Sequence, residues 1–326
     1  MKRVLCFIMF LIILLASLPA LAAAGGTSGL YTYEIKGNGT ITITGFDWKA
    51  NDGDIFVPTM IDGYNVTAIG DEAFKCEHLR RSLKQLATVS LTLPEGIKSV
   101  GKKAFWNATL SSINLPDGLQ NIGAGAFVGN PTIQYKLSGS HPYIAVIDGA
   151  LYSKSNKELL AYTHFDEGYK QYANYKYTIP EGILSIADYA FYRDVEGEKA
   201  ATYKSNYTFN IEEVVFASTI TKIGDFAFSG FRFDNETVLP ERLKTIGESA
   251  FENAVGYCRE DIVIPDGVTT IGKAAFRNSN LFYDYGEEIT KIIISENSSL
   301  TEIDEDTFRG CKDSIAVNSI RIRRVG

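Results

Sequence analysis

One hexapeptide that returns eight times constrains this chain more than anything else in it. Ile-Gly-x-x-Ala-Phe, with small departures, reads IGDEAF at 69–74, VGKKAF at 100–105, IGAGAF at 122–127 and IADYAF at 186–191. It continues as IGDFAF at 223–228, IGESAF at 246–251, IGKAAF at 271–276 and IDEDTF at 303–308. Most copies follow a proline motif: LPEGIKSV, LPDGLQNI, IPEGILSI, LPERLKTI and IPDGVTTI. From that proline, or the residue in its place, to the Ile is six positions in six of the eight copies. The first copy stretches to eleven (Pro58 to Ile69) and the last to eight (Ser295 to Ile303). A fixed period kept along a whole chain is the signature of stacked repeats.

Each unit has a physical reading. Alternating apolar residues precede the proline, as in Leu110-x-x-Ile113-x-Leu115 and Ile289-x-x-Ile292-x-Ile294, and predict one short strand per repeat. Proline cannot donate to a ladder and ends that strand, and Asp117-Gly118 and its equivalents form a turn. The Ile returns to the core, and Ala-Phe is expected on a single helical turn. Two residues after the Phe stands Asn107, Gly129, Gly230, Asn253, Asn278 or Gly310, types that tolerate the left-handed conformation closing such a turn. One repeat alone buries too little, so the Phe and Ile columns are expected to stack into one continuous core. The expected fold is α/β: a leucine-rich-repeat solenoid, β-dominated, with short parallel strands on one side and short helical turns on the other.

These blocks, with L-P-[DE]-G before them, resemble the BspA-type leucine-rich repeats of bacterial surface proteins. The opening Tyr31-Thr-Tyr33 through Ile41-Thr-Ile-Thr-Gly45 to Ile61-Asp-Gly-Tyr64 is similar to that family's N-terminal cap. Tyr143–Tyr152 followed by Leu159-Leu-Ala-Tyr162 is similar to its inserted β-hairpin. The resemblance spans roughly residues 30–312 and implies a secreted or cell-surface protein, some of whose relatives bind host matrix or other bacteria. It brings no catalytic motif with it. The expected organisation is a signal peptide at 1–22, cap strands at 23–56, eight repeats at 57–312 with a hairpin-bearing insertion at 128–179, and a C-terminal cap strand at 313–326.

The signal peptide rests on Lys2 and Arg3, the apolar run Val4–Leu18, and the cleavage site Ala20-Leu21-Ala22. The run is shorter than the ~20 residues a spanning helix needs. Cleavage takes Lys2 and Arg3 away, leaving 30 basic against 39 acidic side chains and shifting the net charge from −7 to −9. Such a chain repels nucleic acid and anionic lipid as a whole. Cys6 leaves with the signal, and Cys76, Cys258 and Cys311 permit at most one disulfide. The end, Ser319 to Gly326, reads as an alternating strand with Arg321, Arg323 and Arg324 outward, a cap that discourages further strand addition. The same arginines could hold an anionic wall polymer.

Chemistry-bearing motifs are absent. There is no H-E-x-x-H, C-x-x-C, G-x-S-x-G or phosphate-binding loop. The histidines, His78, His141 and His164, lack metal-ligand spacing and read as solvated loop residues. A metal site drawing on Asp148 or Asp166, or a hydrolase built around His141, His164 and Glu167, is the remote alternative. The cysteines read as small core residues without a flanking base. Six sequons (Asn38, Asn65, Asn107, Asn206, Asn235 and Asn297) carry glycans only if the source has that pathway. No catalytic, cofactor-binding or metal-ligating residue is assigned, and no cofactor is expected.

What remains is surface. Every long insertion falls between the repeat Phe and the next proline, which gathers the insertions on one edge, often the binding face of a repeat protein. Twelve of the 18 tyrosines lie between 135 and 207. Tyr143, Tyr152, Tyr162, Tyr169, Tyr172, Tyr175, Tyr177, Tyr203 and Tyr207 are the candidate interaction surface, since tyrosine pairs a rigid apolar plate with a hydrogen-bonding tip. The other reading of each is a cross-strand pair within the hairpin. The expected function is an exported, largely monomeric, non-enzymatic adhesion module that binds an extracellular protein or glycan, such as host matrix or a partner cell. Deleting 133–177 is expected to abolish capture while leaving the flanking repeats folded. A structural spacer of the envelope without a dedicated ligand stands as the alternative.

Overall fold

The computed structural model describes residues 25–51, 53–76, 89–130, 133–163, 176–193, 213–233, 238–256, 262–279, 292–311, 315–317 and 323–325. The signal peptide lies outside them. Seven of the eight repeats contribute two short strands where one was expected; among the described residues the sixth has only the second. The first precedes the proline. It builds a parallel ladder of β4 (Ile55–Phe56), β7 (Val89–Thr92), β9 (Leu110–Asn114) and β11 (Gln134–Lys136). The same station later gives β15 (Lys176–Thr178) on β17 (Glu213–Val215), then β22 (Ile262–Ile264), β24 (Ile292–Ile294) and β26 (Ile315–Val317).

The second strand is, in six of the eight repeats, two residues ending at the Ile of Ile-Gly or at Val100 in its place. β6 (Tyr64–Ile69), β8 (Ser99–Val100) and β10 (Asn121–Ile122) pair in parallel behind an antiparallel meander of β1 (Gly25–Ser28), β2 (Tyr31–Lys36) and β3 (Thr40–Phe46). β5 (Met60–Ile61) folds back on β6 through Asp62-Gly63, both at positive φ, the turn that matches strand twist. A second meander, β12 (Ile144–Ile147), β13 (Ala150–Ser153) and β14 (Glu158–Tyr162), turns at Asp148-Gly149 in the same way. It leads a second parallel ladder of β16 (Ser185–Ile186), β18 (Lys222–Ile223), β20 (Thr245–Ile246) and β23 (Thr270–Ile271). The expected hairpin is thus a three-stranded meander. Two separate pairs, β19 (Arg232–Phe233) with β21 (Val255–Gly256) and β25 (Glu302–Asp304) with β27 (Arg323–Val325), complete the described set. At the C-terminus β26 extends the pre-proline ladder and β27 pairs with β25 in a separate two-stranded sheet, where a single alternating strand was expected; Arg321 lies outside the described residues, as do the side-chain directions of Arg323 and Arg324.

The helical turns are a correction. Among the described residues the only helical element is a 3-10 turn at Trp48–Ala50. In the Ala-Phe segment, alternate N–H groups bond to the next repeat. Glu72, Phe74 and Cys76 donate to the carbonyls of Lys102, Ala104 and Trp106, and Lys103, Phe105 and Asn107 donate to those of Ala124, Ala126 and Val128. Tyr189, Phe191 and Arg193 repeat the pattern onto Asp225, Ala227 and Ser229. An α-helix would need those donors four residues back in its own chain. The intervening donors close four-residue turns, as Ala73 N–H does on the Gly70 carbonyl. The fourth residue of the motif is left-handed at Glu72, Lys103, Gly125, Tyr189, Phe226, Ser249 and Ala274, which also forbids a helix. The six Asn and Gly residues after the Phe are left-handed as expected, but they end a stacked turn.

The Gly of Ile-Gly, present in six of the eight copies, follows from this stacking. A methyl on Gly247 would lie 2.5 Å from the Gly224 carbonyl carbon and 2.6 Å from the Asp225 nitrogen. Inside, the Phe column stacks as Phe46, Phe74, Phe105 and Phe127, with centroids 4.8, 5.2 and 5.6 Å apart along the column. It resumes as Tyr162, Phe191, Phe228, Phe251, Phe276 and Phe308. Each fully buried Phe contributes about 1.5–3 kcal/mol of transfer energy. The continuous core that was expected is two clusters, one from Tyr33 to Leu151 and one from Ala150 to Ile303.

Candidate interaction surface

The tyrosine set divides once folded. Tyr152 and Tyr177 are 2% and 1% exposed, and their hydroxyls hydrogen-bond to each other. Burial pushes Tyr152 up to about 12 and Tyr177 higher still. Both correct the expectation of surface contacts, because β13 carries buried side chains on both faces and Tyr177 lies opposite Val214. Tyr162 is half-buried, stacked on Phe191 at 5.0 Å and edge-on to Tyr177 at 4.5 Å. Tyr143 is half-buried against the first core, near Gln120. Tyr169, Tyr172, Tyr175, Tyr203 and Tyr207 lie outside the described residues.

A different group of aromatics gathers on the outer side of the turns. Trp106 meets Tyr189 edge-on at 5.7 Å and Tyr192 at 5.3 Å, and Tyr189 stacks on Phe226 at 5.0 Å with planes 3° apart. The Lys103 ammonium lies 4.7 Å from the centres of both Trp106 and Tyr189, at cation–π distance. Gly125 makes the cluster possible: a side chain there would meet the Tyr189 ring at 3.3 Å and Trp106 at 3.4 Å. All four rings are half-buried, with part of each open to solvent. Burial raises the pKa of Tyr189, with Lys102 opposing and Asp188, Asp225 and Glu248 adding, so its hydroxyl remains a donor at neutral pH. Sequence reasoning missed the cluster, because Trp106 is 83 positions from Tyr189. The one available signal was Gly125, where IGAGAF carries Gly in place of a side chain.

His141 is buried at 1% exposure, a correction to the solvated reading. Its Nε2 bonds to the Pro116 carbonyl at 2.9 Å, and Nδ1 accepts from the Ile144 and Tyr143 N–H groups at 3.1 and 3.3 Å. Both ring nitrogens are occupied by backbone, so the ring ties the second meander to the turn at 116. His164, Asp166 and Glu167 lie outside the described residues, and Asp148 is an exposed turn residue. Among the described residues, no three His, Cys, Asp or Glu side chains stand close enough to hold a metal ion. Cys76 and Cys311 are free; burial pushes the Cys311 thiol up to about 11, and it donates to the Phe276 carbonyl at 2.9 Å. Asn130 and Ser279, each three residues after a repeat Phe, make the same bond to the Phe105 and Phe251 carbonyls. Among the described residues no helix is long and apolar enough to cross a membrane.

The family model described as the BspA type leucine rich repeat region matches in six copies, over residues 80–157, 167–281, 199–312 and 278–323. Among solved structures, a leucine rich cell surface protein of Faecalibacterium prausnitzii is 18% identical, with 94% of this chain and 96% of that one covered and a TM-score of 0.44. The pneumococcal vaccine antigen PcpA is 16% identical, with 93% and 99% covered and a TM-score of 0.46. A leucine-rich repeat protein of Eubacterium ventriosum is 16% identical, with 90% and 83% covered and a TM-score of 0.41. No curated protein matches the chain.

Proposed function

The chain belongs to the BspA-type leucine-rich-repeat family, and from that premise we propose that it is an exported, non-enzymatic interaction module whose stacked repeats form a solenoid presenting an aromatic face to an extracellular protein or glycan. The observation that carries the reading is the half-buried cluster of Trp106, Tyr189, Tyr192 and Phe226, contributed by three repeats. Aromatic side chains dominate the energetics of interfaces because they bury large area at little entropic cost. The tyrosine-rich edge enters this reading through Tyr192 and Tyr143, with Tyr152 and Tyr177 serving the core. Secretion rests on the basic start, apolar run and small-residue site of residues 1–22.

The test uses the mature chain immobilised against matrix proteins, mucin and partner cells. Point variants replace the deletion of 133–177, because that deletion would remove β14, on which β16 pairs. Capture at micromolar concentration, weakened at least ten-fold in the Trp106→Ala/Tyr192→Ala double variant, is expected. Undiminished capture by a folded double variant would move the contact to the strand face. Absence of any capture would favour the envelope-spacer reading.

A further inference from the structure

Among the described residues, both parallel ladders stop at the same level of the molecule. The Ile-Gly ladder ends at β10 and the pre-proline ladder at β11; they resume at β14 and β15. Between them sits the second meander, and it reproduces the N-terminal one station by station. Each is three antiparallel strands whose last strand pairs in parallel with the first Ile-Gly strand of a stack: Ile43 opposite Ile69, and Leu159 opposite Ile186. The residue after each of those isoleucines donates to the meander, Gly70 N–H to the Ile43 carbonyl at 2.7 Å and Ala187 N–H to the Leu159 carbonyl at 2.8 Å. Three residues further along the meander, Phe46 and Tyr162 supply the first ring of each stack, on Phe74 at 4.8 Å and Phe191 at 5.0 Å. After each meander comes a pre-proline strand at the edge of its ladder, β4 before Pro58 and β15 before Pro180.

From this correspondence we infer that the insertion is an internal cap, and that the chain is two capped stacks in tandem which open as separate cooperative units. Repeat stacks require terminal elements that seal the exposed end of the core, and within a stack stability is a sum of nearest-neighbour terms. The meander seals two ends at once. Ile144 and Leu151 belong to the first core, while Ala150, Tyr152 and Leu159 belong to the second. Outside the core, the stacks meet through Trp106 and Lys103 on one side and Tyr189 and Tyr192 on the other. Such a clasp orients the stacks without making the hydrogen bonds that would make them one ladder. A break of this kind lets one stack open locally while the other holds.

Hydrogen exchange on the full-length mature chain tests the inference. Leu151 and Leu159 are both buried and stand on neighbouring strands of one meander, yet they face different cores. Leu151→Ala is expected to accelerate exchange at least ten-fold in 89–130 and to leave 213–279 unchanged. Leu159→Ala is expected to do the reverse. Phe105→Ala and Phe251→Ala, well inside either stack, should show the same separation. Acceleration of both stacks by any one of these substitutions would make the chain a single cooperative unit and overturn the inference. Should the alanine variants fail to fold, Leu151→Val and Leu159→Val ask the same question with a smaller perturbation.

Discussion

At the scale of the residue, buried polar side chains serve the backbone. His141 satisfies three backbone groups, so His141→Ala leaves them buried without partners and is expected to cost about 1–3 kcal/mol; urea unfolding measures it. The Cys311 thiol, raised to about 11 by burial and holding the Phe276 carbonyl, should resist alkylation at pH 8 until the chain unfolds. Glu158 gives a pH dependence. Burial raises its pKa, against the Ser185 hydrogen bond and Lys222. A carboxyl raised on folding contributes stability below its unfolded pKa and loses it as pH rises through the folded one. Glu158→Gln should therefore raise the melting temperature at pH 7 and make no difference in acid, below the unfolded range. An equal effect at both pH values would assign the gain to something other than ionisation.

At the scale of the element, the turn ladder replaces the helix, and its parts can be exchanged between repeats. Asp71, Asp188 and Asp225 each accept from the third-residue N–H of the next turn, Lys102, Asp225 and Glu248. Lys102 occupies that acidic position without an acceptor to offer Ala124. Lys102→Asn would place one there, and a gain of about 0.5–1.5 kcal/mol is expected from one more hydrogen bond of this kind. Gly247→Ala tests the close approach: its methyl would overlap the Gly224–Asp225 peptide, and the resulting overpacking should cost about 1–3 kcal/mol. Both are read from thermal unfolding of the full chain.

At the scale of the whole molecule, two stacks and their meanders contain no α-helix among the described residues. Far-ultraviolet circular dichroism is expected to show the single minimum of β structure, without the paired minima of α-helix. A spectrum dominated by helix would contradict the turn ladder directly. Under the proposed function, the two-stack arrangement also sets where a ligand meets the molecule. Its aromatic cluster lies across the seam, where Trp106 of the first stack reaches Tyr189 and Tyr192 of the second.

The repeat period, the parallel pre-proline strands, the left-handed Asn and Gly residues and the family itself follow from the sequence. Each depends on residue type at fixed spacing, and residues such as Pro116, Gly129 and Asn253 impose their local geometry wherever they stand. The tertiary structure alone decided three things. It turned Ala-Phe from a helical turn into a ladder rung, because hydrogen bonds to the next repeat outcompete those a six-residue segment could make within itself. It buried Tyr152 and Tyr177 by placing the insertion between two cores, which no count of tyrosines reveals. And it assembled Trp106, Tyr189, Tyr192 and Phe226 from three repeats, since contact across a stack depends on which repeats become neighbours once the insertion between them has folded.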